Sequence, residues 1–419
     1  MFLTYILLVA AAFGTSYSAS IQNEYKTYKD YKLYRIEGER QKLQNFILQT
    51  MTELPEIPFH NIRGSVAHAL IAPELAETFE EGVRLANLVA SVEIDDYSEI
   101  ISLERGGTRR SGGFSWTAYY DVDDIYRYLR NVSDWWPDLT ELVVGGKSYE
   151  GRQILGLRIN TPSQNKSDNK PVVFIESGIH AREWITPATT TYFINQLLTS
   201  DNPNIRSLRD QFDWHIFPTV NPDGYHYSMT WDRMWRKTRS KSPGSLCLGA
   251  DPNRNWDYNW LQHGATSDPC NYQTYGGSKP FSEVETKTLS EYVASLENLL
   301  AYVAFHSDAQ ILLVPYSDSE EHTDNYDDLI KIGKTSLEYG KKVNGEEYGG
   351  PATAAEILYK ASGGSMDWVR AKLGTPIVYT YELRGTYFHW PEHRIPEQGD
   401  EVTQMMLGLF EEARNLGYY

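Results

Sequence analysis

The chain has 419 residues, 41% of them hydrophobic, and a formal net charge of −17. That length exceeds a usual single domain, so two folded units are expected, and the acidic balance excludes the basic surface that nucleic acid binding requires. Beyond the first residues no apolar stretch is long enough to be a transmembrane helix.

Phe2 to Phe13 is an apolar run followed by small residues at Gly14, Ser16 and Ser18, the layout of a signal peptide, although no Lys or Arg precedes it. Residues 1–18 therefore read as a leader and the protein as secreted; a buried N-terminal helix is the alternative. In a secreted chain Cys247 and Cys270, an even pair, form one disulfide. The sequons Asn131-Val132-Ser133 and Asn165-Lys166-Ser167 become possible glycosylation sites, as in a glycoprotein.

Tyr31 to Ile36 reads as a strand, and Leu43, Phe46, Ile47 and Met51 then recur at helical spacing. The order repeats: Val66 to Ile71 is strand-like, and Pro73 opens a helix whose Leu75, Phe79, Val83 and Ala86 share one face. Ile100, Ile101 and Leu103 read as a further strand. These elements make a small α/β open sandwich over residues 19–110. It ends in the Gly-rich stretch Arg105 to Gly113, an exposed basic linker where a trypsin-like protease would cut at Arg105, Arg109 or Arg110. An ordinary interdomain linker is the other reading.

From Phe114 the composition turns aromatic and strands alternate with helices. Val172 to Ile175 is apolar at every position, as in a strand buried on both faces, and Gly178 lets the chain turn at its end. His180 and Glu183 follow, close enough to aim an imidazole and a carboxylate at one point, as a zinc site with mixed ligands requires; a surface turn with an ion pair is the plainer reading. Thr186 and Pro187 predict an N-cap and first helical residue for a helix through Leu198. Ser282 and Glu285 predict a capping box for a helix through Val293. Leu299 to Phe305 is a strand ending at His306, and Ile377 to Tyr381 one ending at Glu382. If these strands are parallel neighbours, the four groups converge on one sheet edge, where α/β proteins keep their ligand sites.

His180, Glu183 and His306 match a catalytic zinc, which keeps three protein ligands and one open position. In chain order, His180 to Thr186, Asn221-Pro222-Asp223-Gly224, Trp235 to Arg239, Asn253-Arg254-Asn255-Trp256, Pro280 to Glu283, Ala361 to Ser365 and Glu382-Leu383-Arg384 resemble the zinc metallocarboxypeptidases of the digestive A/B type. The resemblance runs from about Trp116 to the end, and the N-terminal unit is similar to that family's activation propeptide. It implies a mixed twisted sheet flanked by helices for residues 111–419, one Zn2+ per chain, and peptide or protein C-termini as substrates. It makes His180, Glu183 and His306 the ligands, Glu382 the carboxylate that activates water, and Arg236 the oxyanion stabiliser. Asn253, Arg254 and Tyr359 correspond to the contacts for the terminal carboxylate, Arg182 to a subsidiary one, and Ser307 to a further substrate-binding position. Asp251 matches the partner of the second His180 ring nitrogen.

In the same family the position of Met366 floors the pocket for the C-terminal side chain, where an Asp selects Lys or Arg. Met366, with Ala354, Gly364 and Thr380, implies apolar, aromatic or aliphatic, preference; Ser317 fits either. A basic preference and a non-catalytic binding relative are the competing readings. Two departures stand out: Asp308 occupies a position where the family has Tyr, and the segment Gly385 to Pro396 is short.

Overall fold

The computed structural model describes residues 25–54, 57–105, 113–162 and 170–419. The leader, the sequon at Asn165 and the cleavage positions Arg109 and Arg110 lie outside them. Among the described residues no helix is long and apolar enough to cross a membrane.

Residues 25–105 form a four-stranded antiparallel sheet from β1 (Lys32–Glu37), β2 (Phe59–Arg63), β3 (Val66–Ile71) and β4 (Val89–Ile94), in the order β2-β3-β1-β4. The helices Arg40–Glu53 and Ala76–Leu85 cover one face, where Leu43, Phe46, Ile47, Phe79 and Val83 pack on Tyr34 and Ile36. Two expectations change here. The sheet gains β2 and β4, and Ile100, Ile101 and Leu103 belong to a helix, Ser98–Arg105. Tyr97, Ile101 and Glu104 are buried at helical spacing while Leu103 is 71% exposed, and the Asp96 carboxylate accepts the Ser98 N–H at 2.9 Å where the helix begins.

The larger unit is an eight-stranded mixed sheet in the order β11-β10-β12-β9-β7-β8-β6-β5. Its strands are β5 (Thr140–Lys147), β6 (Gln153–Ile159), β7 (Val172–Ser177), β8 (Asp213–Phe217), β9 (Leu299–Ser307), β10 (Ile311–Val314), β11 (Gly349–Thr353) and β12 (Ile377–Leu383). The central four, β12, β9, β7 and β8, are mutually parallel. Both faces of these strands are covered. Val173, Ile175, Val303 and Phe305 pack against the helices Ile185–Thr199 and Ile395–Asn415, whereas Phe174, Tyr302 and Val378 pack with Leu289 and Val293 of the helix Val284–Ala294. Double coverage is why β7, β9 and β12 carry apolar runs, whereas β8 (Asp213-Trp214-His215-Ile216-Phe217) keeps polar residues at alternate positions. Cys247 and Cys270 are joined as expected.

Two predicted helix starts differ in detail. The helix Ile185–Thr199 begins two residues early, with Trp184 before it, and the Thr186 hydroxyl serves the preceding turn instead. The helix Val284–Ala294 has no side-chain cap: the Ser282 hydroxyl accepts from Asn255, and the Glu285 carboxylate accepts the Tyr149 N–H. Both residues hold distant loops, and that tertiary use displaces the local capping pattern.

The two units meet through a buried ion cluster. Arg233 donates to both oxygens of Glu104, at 2.5 and 2.8 Å, and His389 Nδ1 lies 2.8 Å from the same carboxylate. Burial opposes ionisation of Glu104, but Arg233 and His389 outweigh it and hold the carboxyl below its ordinary range. Glu104→Ala leaves Arg233 buried without its anion, so it should destabilise the docked arrangement by about 3–5 kcal/mol. Hydrogen exchange across β1–β4 in the full chain measures this, and unchanged protection would show that the pair does not hold the units together.

Candidate active site

β7, β9 and β12 lie side by side, and each delivers a polar residue at its carboxyl end. Glu382 pairs in register with His306, and Ser177, at the end of β7, pairs with Phe305. Past Ser177 the chain turns at Gly178, whose φ of +64° favours glycine and where a Cβ would lie 3.1 Å from the Pro218 carbonyl oxygen. The turn that follows is braced from several sides. Thr186 Oγ1 accepts the Gly178 N–H and donates to the Glu183 carbonyl, Asn221 Nδ2 donates to the Ile179 and Lys237 carbonyls, and the Ala181 N–H donates to the Arg236 carbonyl.

The braces bring His180, Glu183 and His306 together, all buried. His180 Nδ1 is 2.8 Å from Glu183 Oε1 and 3.1 Å from His306 Nδ1, and His306 Nδ1 is 3.3 Å from Glu183 Oε2. Two imidazole nitrogens facing each other around a carboxylate fit a shared cation. A tetrahedral zinc with ligand bonds of about 2.0–2.2 Å separates its donors by roughly 3.3 Å, so the spacing suits that ion, as does the mixed N and O set. His180 Nε2 lies 3.1 Å from Asp251 Oδ1, the outer partner that orients a ligating imidazole.

Glu382 is beside this set. Burial pushes its carboxyl up to about 7; His306 opposes the shift, and Glu183 and Asp308 reinforce it. Arg236 is a fixed cation: Nε and one terminal nitrogen donate to Asp251 Oδ2 at 3.1 and 2.9 Å, Nε also donates to the Gln273 carbonyl, and the other terminal nitrogen is 3.9 Å from Glu183 Oε1. The neighbouring cations form no basic surface patch with it, since Arg233 pairs with Glu104, Lys237 donates to the Pro269 and Asn271 carbonyls, and Arg239 stacks on Tyr227.

The remaining predicted positions line the same cleft. Arg254 is held by the Gly264 and Asn253 carbonyls and donates to the Tyr359 hydroxyl at 3.3 Å. Asn253 Oδ1 accepts the Ser365 N–H at 3.0 Å, so the side chain offers its amide donors to the cleft. Arg182 stacks on Phe388, with buried Nε and one buried terminal nitrogen lacking protein partners. Burial and the nearby Arg236 pull it down to about 10, which leaves it charged at neutral pH. The Ser307 N–H donates to Glu183 Oε2.

A pocket beyond these groups is lined by Ala309, Leu313, Ser317, Ala354, Leu358, Gly364, Met366 and Thr380. The Thr380 hydroxyl contacts Met366 Sδ at 3.4 Å. Asp308 Oδ2 accepts the Phe388 N–H at 2.9 Å, and a Cβ on Gly385 would lie 2.8 Å from that of Asp308. The two sequence departures are thus in contact, and the short segment sets Phe388 against Arg182. Phe388 and Asp367, which binds the Ser317 N–H with both oxygens, were not anticipated; adjacency to Met366 was the available signal for Asp367.

A buried His-Glu-His set at the carboxyl edge of parallel strands defines a mononuclear zinc enzyme built on an α/β sheet. The model of the zinc carboxypeptidase family matches residues 125–405. A zinc carboxypeptidase of Simulium vittatum is 47% identical over 309 residues, 72% of this chain and 98% of that protein. Zinc carboxypeptidase A 1 of Drosophila melanogaster is 33% identical over 420 residues, 96% of each chain. The crystal structure of the carboxypeptidase A from Helicoverpa armigera matches 94% of this chain and 100% of its own at a TM-score of 0.86 and 26% identity. The chain belongs to the zinc carboxypeptidase family, and it is a zinc-dependent exopeptidase acting on peptide C-termini.

His306→Ala should remove most of the metal, because the two remaining ligands are insufficient for tight binding. Zinc content and activity of the folded variant should fall together, and stoichiometric zinc would show the ligand set to be wrong.

Proposed function

We propose that the protein is a secreted carboxypeptidase, made as a zymogen, that removes apolar residues from peptide C-termini. The observation that carries this reading is the part of the cleft around Met366, where Ala309, Leu313, Ser317, Ala354, Leu358, Gly364 and Thr380 bear no charge, while the charged residues of the same cleft, Asp308 apart, are the ones assigned to the metal, the carboxylate and the chemistry. A Lys or Arg side chain would lose hydration there without gaining a partner, whereas aromatic and aliphatic side chains gain burial.

Arg254, with its planar donors, takes the terminal carboxylate together with Asn253 and Tyr359. Arg182 serves as a subsidiary carboxylate contact and Ser307 as a further substrate contact in the same cleft. Bound by His180, Glu183 and His306, zinc supplies a Lewis acid and lowers the pKa of water. Glu382 accepts the proton of the attacking water and passes it to the leaving amine. Arg236, immobilised by Asp251, stabilises charge on the former carbonyl oxygen without reorganising.

Residues 19–110 act as the propeptide and 111–419 as the catalytic domain. β2, an edge strand of the smaller sheet, supplies Phe59, His60 and Ile62 to the lining of the cleft, beside Arg182, Asp308 and Phe388. A peptide bound with its terminus at Arg254 would need that space for its upstream residues. Cleavage among Arg105, Arg109 and Arg110 by a trypsin-like protease would free it.

The decisive assay compares intact and trypsin-treated protein on peptides ending in Phe, Leu, Lys and Glu. The cut form should act on Phe and Leu with kcat/KM at least about 100-fold above Lys, since an unpaired cation is costly to bury, while the intact form should be nearly inactive. A preference for Lys, or equal activity before and after cleavage, would overturn the corresponding half of the reading.

Glu382→Gln should keep zinc and lose about 10²–10⁴-fold in kcat. In the wild type the ionised carboxylate is the active form, so activity should fall as pH drops through the Glu382 pKa; a bound dication favours ionisation and places that limb below 7. A zinc-replete Gln variant with ordinary turnover would refute the assignment. Met366→Asp should lose more on Phe and Leu than it gains on Lys, because a buried Asp with few donors tends to protonate rather than pair. The four peptides measure both changes.

A further inference from the structure

Beneath the cleft lies a buried carboxyl that the reaction described above does not use. Glu176 of β7 is completely inaccessible, and it pairs in register with Ala304, which pairs with Thr380. Side chains alternate along a strand, so Glu176 shares a sheet face with His306 and with Thr380 of the side-chain pocket. Burying a carboxyl costs free energy that an apolar residue would avoid, and here burial pushes its pKa upward. Its Oε1 accepts a hydrogen bond from Ser365 Oγ at 2.8 Å.

Ser365 connects this carboxyl to the substrate side. Its backbone N–H donates to Asn253 Oδ1 at 3.0 Å, and the next residue is Met366. The Asn253 amide has two ends of opposite polarity, and its neighbours decide which one meets the cleft. Were the oxygen to turn outward, it would face the terminal carboxylate as one acceptor facing another. The Ser365 N–H prevents this by holding the oxygen, and the Ser365–Glu176 bond fixes where that N–H stands. Gly364 leaves room for the contact, since a Cβ there would lie 3.3 Å from Asn253 Oδ1.

We propose that Glu176 and Ser365 are positioning residues for substrate: a Glu176–Ser365–Asn253 relay anchors the carboxylate-binding amide, and with it the Met366 wall, to the central parallel sheet. The proposal rests on the reading of Asn253 as a contact for the terminal carboxylate. That contact is remote from the scissile bond and forms equally in ground and transition states, so its loss weakens binding rather than turnover.

The test uses the activated, zinc-loaded enzyme, a peptide ending in Phe, and 3-phenylpropanoate as a product-like probe carrying a carboxylate and an aromatic ring. Ser365→Ala removes one hydroxyl, and it should raise KM and the inhibition constant of the probe about tenfold, with kcat changed by less than about threefold. Glu176→Met should do the same, whereas Glu176→Gln, which keeps the acceptor oxygen, should restore both constants to near wild type. Zinc content should be unaffected throughout. Unchanged KM and probe inhibition in folded Ser365→Ala, or a fall in kcat at constant KM, would overturn the relay provided that Asn253→Ala raises both constants. An Asn253→Ala variant with no effect would instead refute the carboxylate reading, and the relay with it.

Discussion

Two imidazole nitrogens, His180 Nδ1 and His306 Nδ1, stand 3.1 Å apart in a buried site with Glu183 against both. A cation satisfies this arrangement, and the rest of the fold supplies the rigidity to keep it in place. The strands that carry it are parallel and covered on both faces, so their carboxyl ends cannot shift without disturbing two packed layers. The loop that carries His180 and Glu183 lacks that protection, and it is tied by side chains instead. Asn221, Thr186 and the Arg236 backbone each hold one part of it. Asp251 links this turn to the oxyanion group, since one of its oxygens faces His180 and the other receives Arg236. The metal side and the charge-stabilising side therefore share one buried carboxylate.

The same economy appears where the smaller sheet docks. Arg233 binds Glu104 and also donates to the Arg182 and Phe388 carbonyls, at 2.7 and 2.6 Å. A cation that holds the N-terminal unit thus also braces two residues lining the cleft. Tyr97 adds a hydrogen bond to the Tyr387 carbonyl at 2.6 Å, and His60 packs against the Tyr387 and Phe388 rings. The short segment after Glu382 is shaped by these contacts together with Asp308. Asp308 and Gly385 fit each other, which gives the two departures from the family pattern one joint structural reason.

Much of this was legible in the sequence because the central strands carry an unbroken apolar signal that ends at a polar residue each time. Val172 to Ile175, Leu299 to Phe305 and Ile377 to Tyr381 gave both the strands and the positions of His180, His306 and Glu382. The smaller sheet was harder. β4 is an edge strand with Val89 69% exposed, so it shows little alternation to read, and the cluster of Ile100, Ile101 and Leu103 imitates a strand although Tyr97, Ile101 and Glu104 make the buried helical face. The helix caps failed for a different reason. Thr186, Ser282 and Glu285 have the right residue types at the right spacing, yet each is claimed by a more distant backbone or side chain. Local rules describe what a residue can do, and tertiary packing selects among those options.

Met366 has an acid as its immediate neighbour, so composition alone leaves the polarity of the side-chain pocket open. Asp367 is fully buried, and both of its oxygens accept the Ser317 N–H, at 3.0 and 2.9 Å. Burial also pushes its carboxyl up to about 7, which favours the neutral form over the charged one. The carboxyl is thus bound behind Ser317, outside the lining of the cavity, and Met366 occupies the adjacent position that faces it. A shift of one residue in the helix Ser365–Trp368 would put Asp367 where Met366 now stands. The hydrogen bonds that fix the start of that helix therefore bear on polarity as much as on shape, and the uncharged pocket depends on how residues 364–367 are anchored as well as on which residues they are.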